Sequence, residues 1–268
     1  GLAPGTFRTS TGWFGPVMAL AGSFVLLLVV APLLGLAFSS SFSELSEAAR
    51  DQQVIDSIGL TLGAALAATL LCTVAGIPLA YLLARKQFAG KSVLLALIDL
   101  PVIVPHTVAG IALLTVVGRN TLVGSALGDF VGSIKGIAAA MAFVSVPFLI
   151  NAARAGFEAV PVRLEKTART LGASPLRVFL TISLPMAWRA ILSGMVMMWA
   201  RGISEFGAVV IIAYHPMTTP VLIFERFNDF GLRHARAAAV VLLLVCVILF
   251  AVFRFVGRSH PAGDSRHA

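Results

Sequence analysis

VPVRLEKTARTLGASPLRVFLTISLP, residues Val160–Pro185, is the one long polar and charged stretch of this 268-residue chain, and apolar runs of membrane length flank it. Its residues specify an elbow. Pro161 suits the first turn of a helix, where its missing N–H would have found no partner anyway. Leu164, Ala168 and Leu171 recur at i, i+4 and i+7 and give that helix one apolar face. Glu165 and Arg169 stand four apart and can pair, an interaction worth about 0.2–0.5 kcal/mol. Gly172 supplies a left-handed stop. Ser174 then offers an N-cap and Pro175 a first-turn proline, so a second helix starts at once. Pro185 is expected to end that second helix where the next span begins. A connector with no partner has little reason to be specified at so many positions. The loop therefore reads as a docking element, gripped by a polypeptide outside the membrane.

The rest of the chain is greasy. Hydrophobic residues make up 58% of it and charged residues 12%, with a mean hydropathy of +0.95, about half the charged share of a soluble domain. Runs long enough to cross roughly 30 Å of hydrocarbon predict six spans, near Trp13–Phe38, Ile58–Leu83, Val93–Gly118, Gly136–Asn151, Ile191–Ala213 and Ala237–Phe253. The third is interrupted by Asp99, Pro101 and Pro105 and should be kinked or interfacial; the fourth is short. The first run is too long for a signal-peptide core and lacks a clear A-x-A site after it, which predicts a retained helix. The expected fold is an all-α integral membrane protein with six transmembrane helices and a cytoplasmic helix–turn–helix loop at 160–185. Residues 1–12 are read as a tail, 13–55 as the first span with an external loop, 56–256 as the transmembrane domain proper, and 257–268 as a second tail. Between spans five and six, TTPVLIFERFND mixes apolar and charged residues, which fits either an amphipathic segment at the interface or a plain surface helix.

The net charge of +8 sorts by side. With both ends cytoplasmic, the inner face holds thirteen cations: Arg8, Arg85, Lys86, Lys91, Arg154, Arg163, Lys166, Arg169, Arg177, Arg189, Arg254, Arg258 and Arg266. The outer face holds six (Arg50, Arg119, Lys135, Arg226, Arg233 and Arg236), and Arg201 lies within a span. The positive-inside rule thus predicts N-in and C-in, and the expected location is the cell inner (cytoplasmic) membrane. Topology and anionic lipid account for this basicity, and no base-stacking aromatic array stands outside the membrane, so nucleic acid is not an expected partner. Cys72 and Cys246 fall inside spans and read as small packing residues, with no metal-ligand spacing. Gly90-Lys91-Ser92 imitates the end of a phosphate-binding loop, but Arg85 stands where the opening glycine belongs and no strand precedes it. The chain therefore offers no nucleotide site of its own.

Lys166-Thr167-Ala168, Gly172, then Ile182, Leu184 and Pro185 resemble the EAA loop of type I ABC importer permeases, whose pattern is E-A-A-x-x-x-G followed after nine residues by I-x-L-P. Both spacings match. Lys166 replaces the usual glutamate and Thr167 the first alanine, while Glu165 stands one place early. The resemblance implies that Glu165, Lys166, Ala168, Arg169, Gly172, Ser174, Pro175, Leu184 and Pro185 form or flank a coupling helix seated in a cleft of an ATPase subunit. LPVIVPHTVAGIALL (Leu100–Leu114), RLEKTARTLGASPLRVF (Arg163–Phe179) and WARGISEFGAVVIIAYHPM (Trp199–Met217) are similar to molybdate/tungstate permeases, with sulfate permeases as near relatives. This implies a homodimer bound to two ATPase subunits that use ATP and Mg, and an external oxyanion-binding protein that delivers molybdate or tungstate. The chain itself then carries no cofactor and no metal, and catalyses nothing.

Ionisable residues inside a membrane are costly enough to be functional suspects. Arg201 and Glu205 lie one turn apart in span five, beside Ser204, Gly202 and Gly207. They form either a mutually neutralising pair that locks the span, or a place where Arg201 faces a passing dianion with Ser204 hydroxyls as donors. His106, between Pro105 and Thr107, reads as a capping or packing residue beside a kink or as a ligand contact. The candidate anion pathway is thus Arg201, Ser204, Glu205, His106 and Thr107. Two rival classes stay open. A stand-alone secondary transporter could use Asp99, His106 and Glu205 as a proton relay, although paired broken helices in inverted halves are not visible. An intramembrane enzyme would need a nucleophile–base spacing that the sequence lacks.

Overall fold

The computed structural model describes residues 13–258. The described chain is helical throughout: α1 Phe14–Ala37, α2 Phe42–Arg50, α3 Gln52–Arg85, α4 Lys91–Ile103, α5 His106–Val117, α6 Leu122–Leu127, α7 Ile134–Ala159, α8 Val162–Thr170, α9 Pro175–Val178, a π-helical turn Phe179–Ser183, α10 Leu184–Ile203, α11 Gly207–Ile212, α12 Thr219–Phe230 and α13 Leu232–Arg258. Five helical stretches among the described residues are long and apolar enough to cross a membrane, and α4 with α5 makes a sixth if counted as one broken span. The tail at 1–12 and all but two residues of the tail at 257–268 lie outside the described residues.

Several boundaries move for local reasons. α3 begins six residues before the expected Ile58, because the Asp51 side chain accepts from the Gln53 N–H (2.9 Å) and caps the helix there. The external loop expected at the end of 13–55 is thus largely helical, as α2 and the start of α3. α7 runs on past Asn151 to Ala159, continued by the pairing of Arg154 with Glu158 at 3.0 Å, so the fourth span is 26 residues long rather than short. The third span turns by 117° between Ile103 and His106, where Val104 and Pro105 leave the helical region.

The largest change concerns Pro185, which does not end the second elbow helix. Helix continues from Pro175 to Ile203, 29 residues without a break. The π-turn explains this: the Leu184 N–H reaches back five residues to the Phe179 carbonyl, a widened turn that accommodates the proline ring at the start of α10. The same span instead breaks at Ser204–Phe206, ahead of the expected Ala213, and resumes as α11.

Asp51–Asp229 forms one compact unit, and the described residues up to Arg50 and from Phe230 form another. In the second, Glu44 of α2 accepts from Arg233 (3.1 Å) and lies 3.6 Å from Arg236 of α13. In the first, α7 is the central helix and packs against both α3 and α10. Ala80, Leu83, Ile150, Ala153, Phe157, Ala187 and Ile191 meet there as a buried cluster. Small residues at these crossings let backbones come close, which matters in lipid because packing replaces the hydrophobic effect as the force between helices. α12 buries Thr219, Val221 and Leu222 while exposing Phe224, Phe227 and Phe230, so it is an amphipathic element of the unit rather than a plain surface helix. Thr219 is held to α3 by its backbone N–H donating to Thr61 Oγ1 at 2.8 Å.

At the end of α3 that carries Asp51, Arg226 of α12 donates to that carboxylate at 2.6 Å. Partial burial pushes the Asp51 carboxyl up, but the bonds from Arg226 and the Gln53 N–H outweigh it and hold the group below its ordinary range. A depressed folded-state value contributes stability above the unfolded value and loses it as pH falls through the folded one. An acid titration of thermal stability should show this loss in the wild type below about pH 4. The loss should shrink in Asp51→Asn; identical acid limbs would remove the pair from the account.

Candidate functional site

Two polar constructions stand out in the larger unit. The first is the elbow. α8 ends in a Schellman arrangement: the Gly172 N–H donates to the Arg169 carbonyl at 3.0 Å and the Ala173 N–H to Ala168 at 3.1 Å. Gly172 has φ +88°, as the left-handed stop requires. Ser174 Oγ accepts from the Arg177 N–H at 3.3 Å, and Pro175 opens α9. Pro161 is the N-cap of α8 rather than its first residue.

The elbow turns part of its apolar side outward: Leu171 is 83% and Leu176 66% exposed and Leu164 is exposed too, while Val160, Val178 and the acid Glu165 are buried. Lys166, Thr167, Arg169, Ser174 and Pro185 are exposed, Ala168 and Leu184 half-buried. Glu165 does not pair with Arg169 across the helix face. Its Oε1 accepts from Arg85 Nε (2.9 Å), Arg85 Nη2 (2.7 Å) and Ser183 Oγ (2.7 Å). Tyr81 OH lies 3.4 Å from Oε2, and Arg85 also donates to the Val160 carbonyl at 3.0 Å. The Tyr81, Phe157 and Phe179 rings pack edge-on or tilted around this clasp. One carboxylate thus ties α8 to the end of α3 and to the π-turn that leads into α10. Arg85 carries no motif, and in the sequence it stands out only as an inner-face charge and as the residue that breaks the phosphate-loop pattern. A multi-donor fork of this kind is what distinguishes arginine from lysine.

The second construction lies where two broken helices meet. α5 and α11 approach at backbone contact: a Cβ on Gly110 would come within 2.8 Å of Ile211 Cβ and 3.0 Å of the Ala208 backbone, and one on Gly207 within 2.7 Å of His106 Cβ. The approach brings His106 of α5 to Arg201 at the end of α10. Arg201 Nη2 lies 3.1 Å from Glu205 Oε2, and His106 Nδ1 lies 3.0 Å from the same oxygen. Arg201 Nη2 is also 2.8 Å from His106 Nε2, and its Nη1 donates to Ser204 Oγ at 3.3 Å. Glu205 is wholly buried, and its Oε1 accepts from the Ala208 N–H at 2.9 Å, which fixes the carboxylate at the start of α11. Oε2 touches two basic groups but has no aligned hydrogen bond. Arg201 and Glu205 are therefore paired as their spacing predicts, and His106 joins them across 95 residues of sequence. Thr107 is exposed beside His106 and joins none of these contacts. Asp99 is elsewhere, accepting from Asn151 Nδ2 at 2.6 Å. That placement separates it from His106 and Glu205 as a relay.

Gly90-Lys91-Ser92 sits in the turn from α3 to α4, with Gly90 at φ +89° as the residue before the helix. Among the described residues no group of three or more His, Cys, Asp or Glu side chains could hold a metal. Cys72 and Cys246 are free thiols, half-buried.

Residues 76–259 match the family described as the binding-protein-dependent transport system inner membrane component. The molybdate/tungstate transport system permease protein of Thermococcus kodakarensis is 45% identical over 247 residues, covering 91% of this chain and 96% of that one. A probable sulfate transport system permease protein of Helicosporidium is 33% identical over 242 residues, covering 86% and 90%. The fold is shared with a solved bacterial ABC transporter involved in the import of the acidic polysaccharide alginate, at a TM-score of 0.74 and 16% identity over 93% of this chain and 96% of that one. A multi-pass helical bundle with these relatives along nine-tenths of its length belongs to the binding-protein-dependent inner-membrane permeases of ABC transporters.

Proposed function

We propose that the chain is the membrane-spanning subunit of an ATP-driven importer of molybdate and tungstate. It pairs with a second copy of itself and with two ABC ATPase subunits, and receives its oxyanion from an external binding protein. The observation that carries this reading is the 45% identity with a molybdate/tungstate permease across 91% of the chain. Sulfate is the second reading, supported by the 33% identical relative.

The elbow 160–185 supplies the docking surface. Leu164, Leu171 and Leu176 are apolar groups turned outward, with Lys166 and Arg169 exposed among them, on a segment braced from behind by Glu165. With both termini and this loop cytoplasmic, thirteen of the twenty Lys and Arg side chains fall on the inner side, which supports that orientation. ATP hydrolysis belongs to the partner, and no cofactor is assigned to this chain. Movement of the motor reaches the bundle as rigid-body displacement of the elbow. The continuous helix Pro175–Ile203 leads directly from the elbow to Arg201, so a tilt at one end displaces the other.

Affinity pull-down from gently solubilised membranes tests the assembly. Wild type should bring down an ABC ATPase in stoichiometric amount. Gly172→Val should lose it or retain it uncoupled, because a β-branched residue at φ +88° is strained even though a Cβ there meets nothing within 4 Å. Repeated recovery of wild type alone would defeat the importer reading. Uptake of labelled tungstate, competed by molybdate but weakly by sulfate, separates the two substrate readings.

A further inference from the structure

An arginine in the path of a dianion creates a problem that the cluster at the α5–α11 crossing addresses. Interactions of charges strengthen steeply where water is scarce, by roughly fourfold or more from bulk water to a partly buried site. A lone Arg201 would therefore hold a tetrahedral oxyanion long enough to stall release. Arg201 is not alone, because Glu205 is fully buried directly behind it. The two exposures grade outward from that carboxylate: the Glu205 side chain is 0% exposed, Arg201 21% and His106 37%.

We propose that Glu205 is a resident counter-anion of the transport path. It occupies Arg201 and His106 between passages, and an incoming molybdate or tungstate takes their donors over from it. This rests on the importer reading above. Three features of the geometry carry it. Glu205 cannot follow Arg201 outward, since its Oε1 is bonded to the Ala208 N–H and its backbone opens the α11 segment. Its Oε2 lies 3.0 Å and 3.1 Å from two basic groups, yet neither N–H is aligned on it. The contact is therefore Coulombic without a directional bond, so the guanidinium can shift part-way toward an anion while staying close enough to offset the buried carboxylate. Finally, Arg201 Nη1 donates to Oγ of the exposed Ser204 at 3.3 Å, so this edge of the guanidinium lies toward the accessible side, while the Ser204 hydroxyl itself donates to the Arg201 carbonyl at 3.0 Å. Arg201 is thus shared: Nη2 is turned to the resident carboxylate and Nη1 to where a ligand would stand. Removing Glu205's charge should leave an anion trap rather than a better transporter.

The test uses the complete importer and two readouts: equilibrium binding of labelled tungstate to the solubilised complex without binding protein, and uptake into proteoliposomes with it. Glu205→Gln keeps an acceptor for the Ala208 N–H and removes the charge. It should bind tungstate on the order of tenfold more tightly or better, a change of about 1.4 kcal/mol per factor of ten, while uptake falls by a similar factor. Adding Arg201→Gln to that variant should abolish the gain. Glu205→Asp, which withdraws the carboxylate by one methylene, should give a smaller gain in the same direction and stands in if the glutamine variant does not assemble. Wild type that imports tungstate while neither variant binds it more tightly overturns the counter-anion. Wild type that imports no oxyanion overturns the importer reading itself.

Discussion

Glu165→Ala should cost the assembled protein about 3–5 kcal/mol, the usual loss when one partner of a buried ion pair is removed and the other is left uncompensated. Arg85 and Glu165 are only 11% and 10% exposed. The alanine variant strands an arginine whose Nε and Nη2 both lose their carboxylate, and frees the Ser183 hydroxyl beneath the π-turn. Melting of the detergent-solubilised protein should drop accordingly, and on the importer reading proposed above ATPase stimulation by a loaded binding protein should be lost before ATPase binding is. Arg85→Met combined with Glu165→Leu should recover most of the stability, since apolar replacement of a buried pair is often neutral or favourable. Its coupling should stay impaired, because the directional tie from α8 to α3 and α10 is gone. A single-variant loss below about 1 kcal/mol, the range of exposed pairs, would reduce the clasp to surface decoration.

Gly110→Val should disrupt the α5–α11 crossing. The new side chain would meet Ile211 Cβ at 2.8 Å and the Ala208 backbone at 3.0 Å, and backbone cannot rotate away. Overpacking typically costs about 1–3 kcal/mol, and a backbone-lined site belongs at the upper end. The α5–α11 contact also sets the distance from His106 to Arg201 and Glu205, so on the importer reading proposed above uptake should fall by at least about tenfold, with recruitment of an ATPase by the elbow unaffected. Gly63→Ala supplies the contrast. It lies in α3 with nothing within 4 Å of its would-be Cβ, and exchanging a helical glycine for alanine favours the helix by up to about 1 kcal/mol. Equal behaviour of the two variants in uptake and melting would show that the crossing is not tight in the working protein.

The spans and the elbow were legible because they rest on short-range rules. Composition and run length marked the membrane crossings. The pair Gly172 and Ser174-Pro175 encodes a stop and a start within four residues, and the structure has the left-handed glycine and the capped second helix there. Arg201 and Glu205, one turn apart, were readable as a pair for the same reason. Proline misled in one place. At Pro105 it accompanies a 117° turn, whereas at Pro185 the chain stays helical through a π-turn. Which outcome follows depends on whether neighbouring backbone and packing re-satisfy the freed carbonyls, and local sequence does not say.

By itself, then, the chain's order of residues determined that it is a bundle of membrane helices, that one polar elbow stands outside it, and which family that elbow resembles. Only the tertiary structure decided what the charged groups do. Glu165 has a basic neighbour four residues on, yet binds Arg85 across 80 residues. His106 has no charged neighbour in sequence, yet meets Arg201 across 95. The physical reason is common to both. A carboxylate excluded from water, Glu165 in one case and Glu205 in the other, takes whichever basic partner the packing of helices delivers. In this protein the α3–α7–α10 core and the close α5–α11 crossing choose those partners.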